Sequence, residues 1–154
     1  MTNVTELINT RCIYNEIQQH ESHPEKHQPI YVVFTSADGT RKAVEKAGQF
    51  MDFSNHAIEV LGVQSVPYAL PLDKPQVPLE VFAGHLKEIA QEFPPIKKVS
   101  AYLCRDELET FKQVLQPSCP VVMGVRKTLW PDHNKHLAQK LRHAGYDVIL
   151  IEME

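Results

Sequence analysis

The chain has no apolar run approaching 18 residues, no glycine-rich dinucleotide fingerprint, no excess of basic residues and no even set of cysteines. Each lack removes a class. Without a long apolar run, no membrane-spanning helix is expected. The opening residues, Met1-Thr2-Asn3-Val4-Thr5-Glu6, lack a basic stretch followed by an apolar one, so no secretory signal is expected. No Gly-x-Gly-x-x-Gly precedes a helical pattern, which argues against a dinucleotide-dependent oxidoreductase, although residues 141–152 have the helix-to-strand step of such enzymes. The formal charge of −3 argues against strong attraction to nucleic acid or to an acidic membrane. Cys12, Cys104 and Cys119 are odd in number and far apart. They read as reduced thiols of a cytoplasmic protein rather than a disulfide frame or a metal cluster.

What is present is the composition of an ordinary globular domain, with 43% hydrophobic and 23% charged residues in 154. The pivotal stretch is Tyr31-Val32-Val33-Phe34-Thr35-Ser36-Ala37-Asp38-Gly39-Thr40. An apolar run stops in small polar residues and a helical pattern begins, which reads as buried strand, tight turn, helix start. Before it, Val4, Leu7, Ile8, Cys12 and Ile17 fall near helical spacing, so an N-terminal helix is expected between Thr2 and Gln19. A polar linker with two prolines follows, so residues 1–29 read as an addition to a domain spanning 30–154.

Within that domain the first strand is expected over residues 30–35, with Ala43, Val44, Ala47, Phe50 and Met51 facing inward on the helix after it. Residues 57–66 read as the second strand. Pro67, Pro71 and Pro75 then enforce a loop, and Pro78 suits a helix start. Leu79, Phe82, Leu86, Ile89 and Phe93 recur at intervals of 3, 4, 3 and 4, a clear helical stripe. A third strand is expected over 99–104. Asp106 and Glu109 then have capping-box spacing ahead of a short helix. Residues 120–124 form the fourth strand, Asp132 caps a last helix that Gly145 stops, and residues 146–151 form the fifth. Five strands alternating with four helices predict an α/β fold with a parallel sheet in order 3-2-1-4-5 and helices on both faces. Ligands of such sheets lie beyond the carboxyl ends of the strands where the winding reverses. That places Ser36, Asp38, Gly39, Gly124, Arg126 and Lys127 in the candidate site, with Val63 of the second strand completing the set.

The run from Tyr31 to Met51 resembles the opening of a universal stress protein: an apolar strand, a short Asp/Gly/Ser turn and an alanine-bearing helix. Ile58-Glu59-Val60-Leu61-Gly62-Val63 is similar to that family's second strand, and Pro120-Val121-Val122-Met123-Gly124 to its fourth, which ends in glycine. The resemblance covers residues 30–154. It implies a Rossmann-like α/β domain, a cytoplasmic role in stress response, a homodimer, and ATP as the ligand of nucleotide-binding members. Those members carry a second glycine three residues after the first and a Gly-Ser or Gly-Thr about ten residues on, so that backbone N–H groups cradle phosphates. Here Lys127 stands at the second glycine position, Pro131-Asp132-His133-Asn134 fills the later region, and the family's aspartate aligns with Thr35 or Ser36, about two positions before Asp38. The departures argue against standard ATP binding and leave no certain cofactor.

Other residues have plain readings beside chemical ones. Asp38-Gly39 could orient a ribose, or serve as a turn with Asp38 or Thr40 as cap. Arg126 and Lys127 could hold a phosphate by side chains, or be a solvated loop. His20, His23, His27, His133 and His136 have spacings that suit a metal, but a flexible linker does not supply rigid convergent ligands. Cys104 and Cys119 read as small buried side chains unless the fold brings His56 or His85 close. No nucleophile, base and orienting group form a recognisable set. The expected function is therefore a non-enzymatic, universal stress protein-like regulator, with a nucleotide or small-anion sensor as the alternative. The final strand, Asp147-Val148-Ile149-Leu150-Ile151, is expected at a sheet edge, where pairing with a second copy would close it.

Overall fold

The computed structural model describes residues 2–7, 12–18, 28–50 and 56–153. In chain order they form β1 (Thr2–Leu7), β2 (Cys12–Gln18), β3 (Gln28–Val33), α1 (Ala37–Phe50), β4 (His56–Ser65), α2 (Leu79–Glu92), β5 (Ile96–Cys104), α3 (Glu107–Val114), β6 (Val121–Arg126), α4 (His133–His143) and β7 (Val148–Met153). The sheet order is β1-β2-β5-β4-β3-β6-β7. From β5 to β7 every pairing is parallel. Counted among themselves, these five strands run 3-2-1-4-5, as the alternation of strands and helices predicts.

β3 holds the centre because both its faces are apolar. Ile30 and Val32 are fully buried beneath α1 and α2 with Ala43, Val44, Ala47, Leu86 and Ile89. Tyr31 and Val33 point the other way, into a core with Phe111 of α3 and Leu137, Ala138 and Leu141 of α4. A strand buried on both faces reads as a continuous apolar run, which is why this one is legible. Tyr31 carries a hydroxyl into that core, where the Gln116 backbone N–H donates to it at 3.3 Å. Burial pushes its phenol up to about 12.

The helix ends follow their sequence signals. Asp106 accepts from the Glu109 N–H at 3.1 Å, and Asp132 from the Lys135 N–H at 3.0 Å. Each satisfies an N–H that the first turn leaves without an intrahelical partner. Gly145 takes a φ of 99° just past α4, a backbone state that suits glycine at a helix stop.

The N-terminal helix expected between Thr2 and Gln19 is not formed. β1 and β2 are antiparallel strands, and β2 pairs antiparallel with β5, Ile13 opposite Leu103 and Ile17 opposite Val99. Five apolar residues at loose helical spacing are weak evidence. Thr2, Val4, Thr5, Ile13, Tyr14 and Ile17 are β-branched or aromatic and fit a pleated surface. The unpaired edge of β5 supplies the tertiary pull that decides between the two. The linker histidines His20, His23 and His27 lie outside the described residues, whereas Gln28 and Pro29 already belong to β3. Among the described residues no helix is long and apolar enough to cross a membrane.

Candidate functional site

The winding reverses between β3 and β6, so the crevice beyond their carboxyl ends is the first place to look. Its floor is packed main chain. Gly39, in the first turn of α1, lies directly on Gly124 of β6, and a Cβ on Gly124 would sit 2.0 Å from the Gly39 carbonyl oxygen. A Cβ on Gly39 would meet the Gly124 carbonyl oxygen at 2.7 Å. The Thr35 hydroxyl donates to that same Gly124 oxygen, and the Thr35 N–H donates to the Thr40 hydroxyl at 3.3 Å. Two glycines are required here because helix and strand touch main chain to main chain.

Ser36, Gly39 and Gly124 therefore do come together, in a packed seam. Ser36 is the helix cap, its hydroxyl oxygen accepting from the Gly39 N–H at 3.0 Å, so the cap is neither Asp38 nor Thr40. Asp38 points outward, its side chain 89% exposed, 3.7 Å from Arg41. Arg41 in turn reaches Glu92 of α2 through two hydrogen bonds of 2.8 and 3.1 Å. Arg126 and Lys127 are exposed, and the Lys127 N–H is taken by the Met153 carbonyl at 2.8 Å as the ladder with β7 continues. Val63 is half-buried on the opposite face of β4 from α2, against the core beneath α3 and α4.

A separate cleft of about 220 Å³ opens at the same end of the sheet, between α3 and α4. Ser65 at the end of β4, Arg105, Asp106 and Glu107 after β5, and His133, His136 and Lys140 of α4 line it. The topology brings α3 and α4 together because both crossovers lie on one face of the sheet. His133 Nε2 stands 2.8 Å from Glu107 Oε2, with the glutamate only 18% exposed and the imidazole 70%. Arg105 braces the neighbouring proline loop, donating to the Val66 and Pro67 carbonyls at 3.1 and 2.6 Å with its guanidinium over the Tyr68 ring. The cleft thus presents an imidazole–carboxylate pair and the Lys140 cation to solvent. That mixture of acceptors and donors suits a small polar ligand, and Lys140 is the cation it offers to a negative group.

The sequence reading missed Glu107 and the cleft. Asp106 and Glu109 are explained by capping, and that spacing draws attention away from the residue between them. The usable signal was the i, i+3 pair His133 and His136 at the start of one helix, together with charged residues just after the third parallel strand. Among the described residues, no group of three or more His, Cys, Asp or Glu is placed to hold a metal ion.

Cys104 and Cys119 are free and fully buried. Burial pushes the Cys104 thiol up to about 11 and raises that of Cys119. A thiol held protonated in an apolar core is a poor nucleophile. Comparison of the chain with protein-family models and with curated proteins finds no match.

Proposed function

We propose that this chain is a regulatory protein of the universal stress type that acts as a cytoplasmic homodimer in stress response, without catalysing a reaction and without holding ATP as the nucleotide-binding members do. The observation that carries the ATP part of this reading is the seam between the first turn of α1 and β6. A phosphate loop there needs room and free backbone N–H groups. Gly39 fills the room above Gly124, and the Lys127 N–H at the second glycine position is spent on Met153. Calorimetric titration with ATP is expected to give an affinity weaker than about 100 μM, less than about 5.5 kcal/mol of binding free energy. Binding at micromolar concentration or tighter overturns the reading.

The homodimer part rests on β7, the last strand of the sheet order, whose Ile149, Leu150 and Ile151 are only partly buried against the core. The N-terminal strands sit at the β5 edge, so they do not cover β7. An aliphatic edge of this kind favours pairing with a second copy about a twofold axis. Native chain is expected to sediment as a dimer at micromolar concentration and Leu150→Pro as a monomer. A monomeric native chain, or a dimeric variant, counts against this edge.

The α3/α4 cleft favours a second reading, a sensor of a small anion. Its volume is below the about 300–1,000 Å³ of pockets that enclose drug-sized ligands, so a ligand smaller than a nucleotide suits it. A thermal-stability screen with inorganic phosphate and small carboxylates, repeated on Lys140→Glu, separates this reading from the first.

A further inference from the structure

The formal charge of −3 conceals a strong asymmetry. Residues 126–143 hold Arg126, Lys127, Lys135, Lys140 and Arg142 against one carboxylate, Asp132, for a local charge of +4. Taking that +4 from the total of −3 leaves −7 on the rest of the chain. Nor is this segment merely a solvated helix face. The loop that opens it places Leu129 and Trp130 in water, 96% and 81% exposed. Exposing two large apolar side chains side by side is unfavourable, and the loop is built to hold them there. The Thr128 hydroxyl donates to the Trp130 carbonyl at 2.6 Å. The Lys135 ammonium donates to the Thr128 carbonyl and hydroxyl, each at 3.4 Å, while the Lys135 N–H caps onto Asp132. The apolar tip is thereby fastened to the first turn of α4.

We propose that residues 126–143 form a docking surface for an anionic lipid bilayer. Leu129 and Trp130 enter the headgroup region, and the exposed Arg126 and Lys127 just before them in the chain meet acidic headgroups, whereas the Arg142 guanidinium is held by the Val148 carbonyl and Lys140 lines the α3/α4 cleft. Tryptophan rests well at a membrane–water interface, and an apolar anchor joined to a basic patch supplies the two signals that reversible membrane attachment needs. The alternatives fit less well. Single-stranded nucleic acid takes aromatic platforms, whereas the more exposed residue of this tip is an aliphatic leucine that cannot stack on a base. A two-residue tip is also far smaller than the roughly 800 Å² per partner of a stable protein interface.

Trp130 is the chain's single tryptophan, so its emission reports directly on the tip. The full chain is titrated with vesicles of phosphatidylcholine containing about one-third phosphatidylserine, and with pure phosphatidylcholine vesicles. The expected result is a blue shift with co-sedimentation on the anionic vesicles, at least about tenfold weaker on the neutral ones. Salt at about 1 M, where the screening length is about 3 Å, should release the protein. The double variant Arg126→Glu, Lys127→Glu should lose at least about thirtyfold in partitioning. Leu129→Ser, which keeps the reporter, should weaken binding while leaving it salt-sensitive. Circular dichroism checks that each variant is folded. Emission that ignores anionic vesicles overturns the proposal, as does equal binding to neutral ones. So does a shift caused by soluble glycerophosphoserine or inorganic phosphate alone, or by an oligonucleotide when vesicles have no effect. A shift that grows with protein concentration in the absence of lipid assigns the tip to a second copy and also overturns it.

Discussion

The β3/β6 crevice and the α3/α4 cleft lie at the same end of one sheet, yet opposite chemistry builds them. In the crevice, main chain presses on main chain through Gly39 and Gly124, and the local hydroxyls and N–H groups are turned inward on each other. In the cleft, charged and polar side chains line an open space, with His133 paired to Glu107 and Lys140 exposed. Topology alone thus leads to the seam, and side-chain chemistry leads to the cleft. A seam tolerates almost no change in volume, whereas an open charged cleft tolerates many.

That contrast is broken or sharpened most strongly at Gly124. Gly124→Ala places a methyl group 2.0 Å from a backbone oxygen that has no rotamer by which to yield. The expected loss is about 3 kcal/mol, the upper end of overpacking, or a fall in Tm of roughly 6–12 °C. The control is Gly84→Ala in the middle of α2, where an added Cβ meets nothing within 4 Å. It should stabilise by about 0.5–1 kcal/mol, because alanine suits a helix interior better than glycine. Thermal melts of the two variants settle the pair. Equal effects would mean that the seam is looser than its geometry.

The core beneath the cleft predicts a dependence on pH. The Cys104 thiol titrates at its ordinary 9.0 when unfolded and at about 11 when folded, because burial disfavours the thiolate. Between those values the unfolded chain has lost a proton that the folded chain keeps, so stability falls as pH rises from about 9 to about 11. Below 9 the contribution is fully present. Tyr31, raised from 10.0 to about 12 by burial, extends the fall to higher pH. Unfolding free energies from urea denaturation across that range should decline, by an amount on the order of 2 kcal/mol for the thiol, and decline less in Cys104→Ala. A flat profile would contradict the burial of both groups.

Smaller effects belong to the cleft itself. Asp106→Ala removes the cap on the Glu109 N–H and should cost about 1 kcal/mol. Glu107→Gln removes the charge that faces a largely exposed imidazole and should cost less than about 1 kcal/mol. Chemical denaturation reads both. If Glu107→Gln proves as damaging as Gly124→Ala, the cleft is a structural joint rather than an open site.

The sequence was most legible where one physical signal acted alone. Tyr31 to Val33 has no polar face, so its central place in the sheet followed from its residues, and Asp106, Asp132 and Gly145 sit where local hydrogen bonding and backbone freedom put them. The N-terminal strands were not legible. Val4 to Ile17 fits either period loosely, and the partner that decides it, β5, lies some 85 residues away, with Ile13 opposite Leu103 and Ile17 opposite Val99. The seam was half legible. Gly39 and Gly124 stood out as backbone positions, but their contact joins residues 85 apart, and no spacing rule reports whether a gap remains between them. Glu107 was hidden because its neighbours had a sufficient explanation in helix capping. The charge asymmetry around Leu129 and Trp130 was masked by reading the net charge of the chain as one number.

The packed Gly39–Gly124 seam is tested by amide NMR during titration with ATP, following Gly39, Gly124 and Lys127 together with His133 and Glu107. The Gly39, Gly124 and Lys127 signals should stay in place at ATP concentrations up to about 100 μM. Progressive shifts of those three signals, saturating at micromolar ATP, would show that the seam opens to admit the nucleotide and would contradict it.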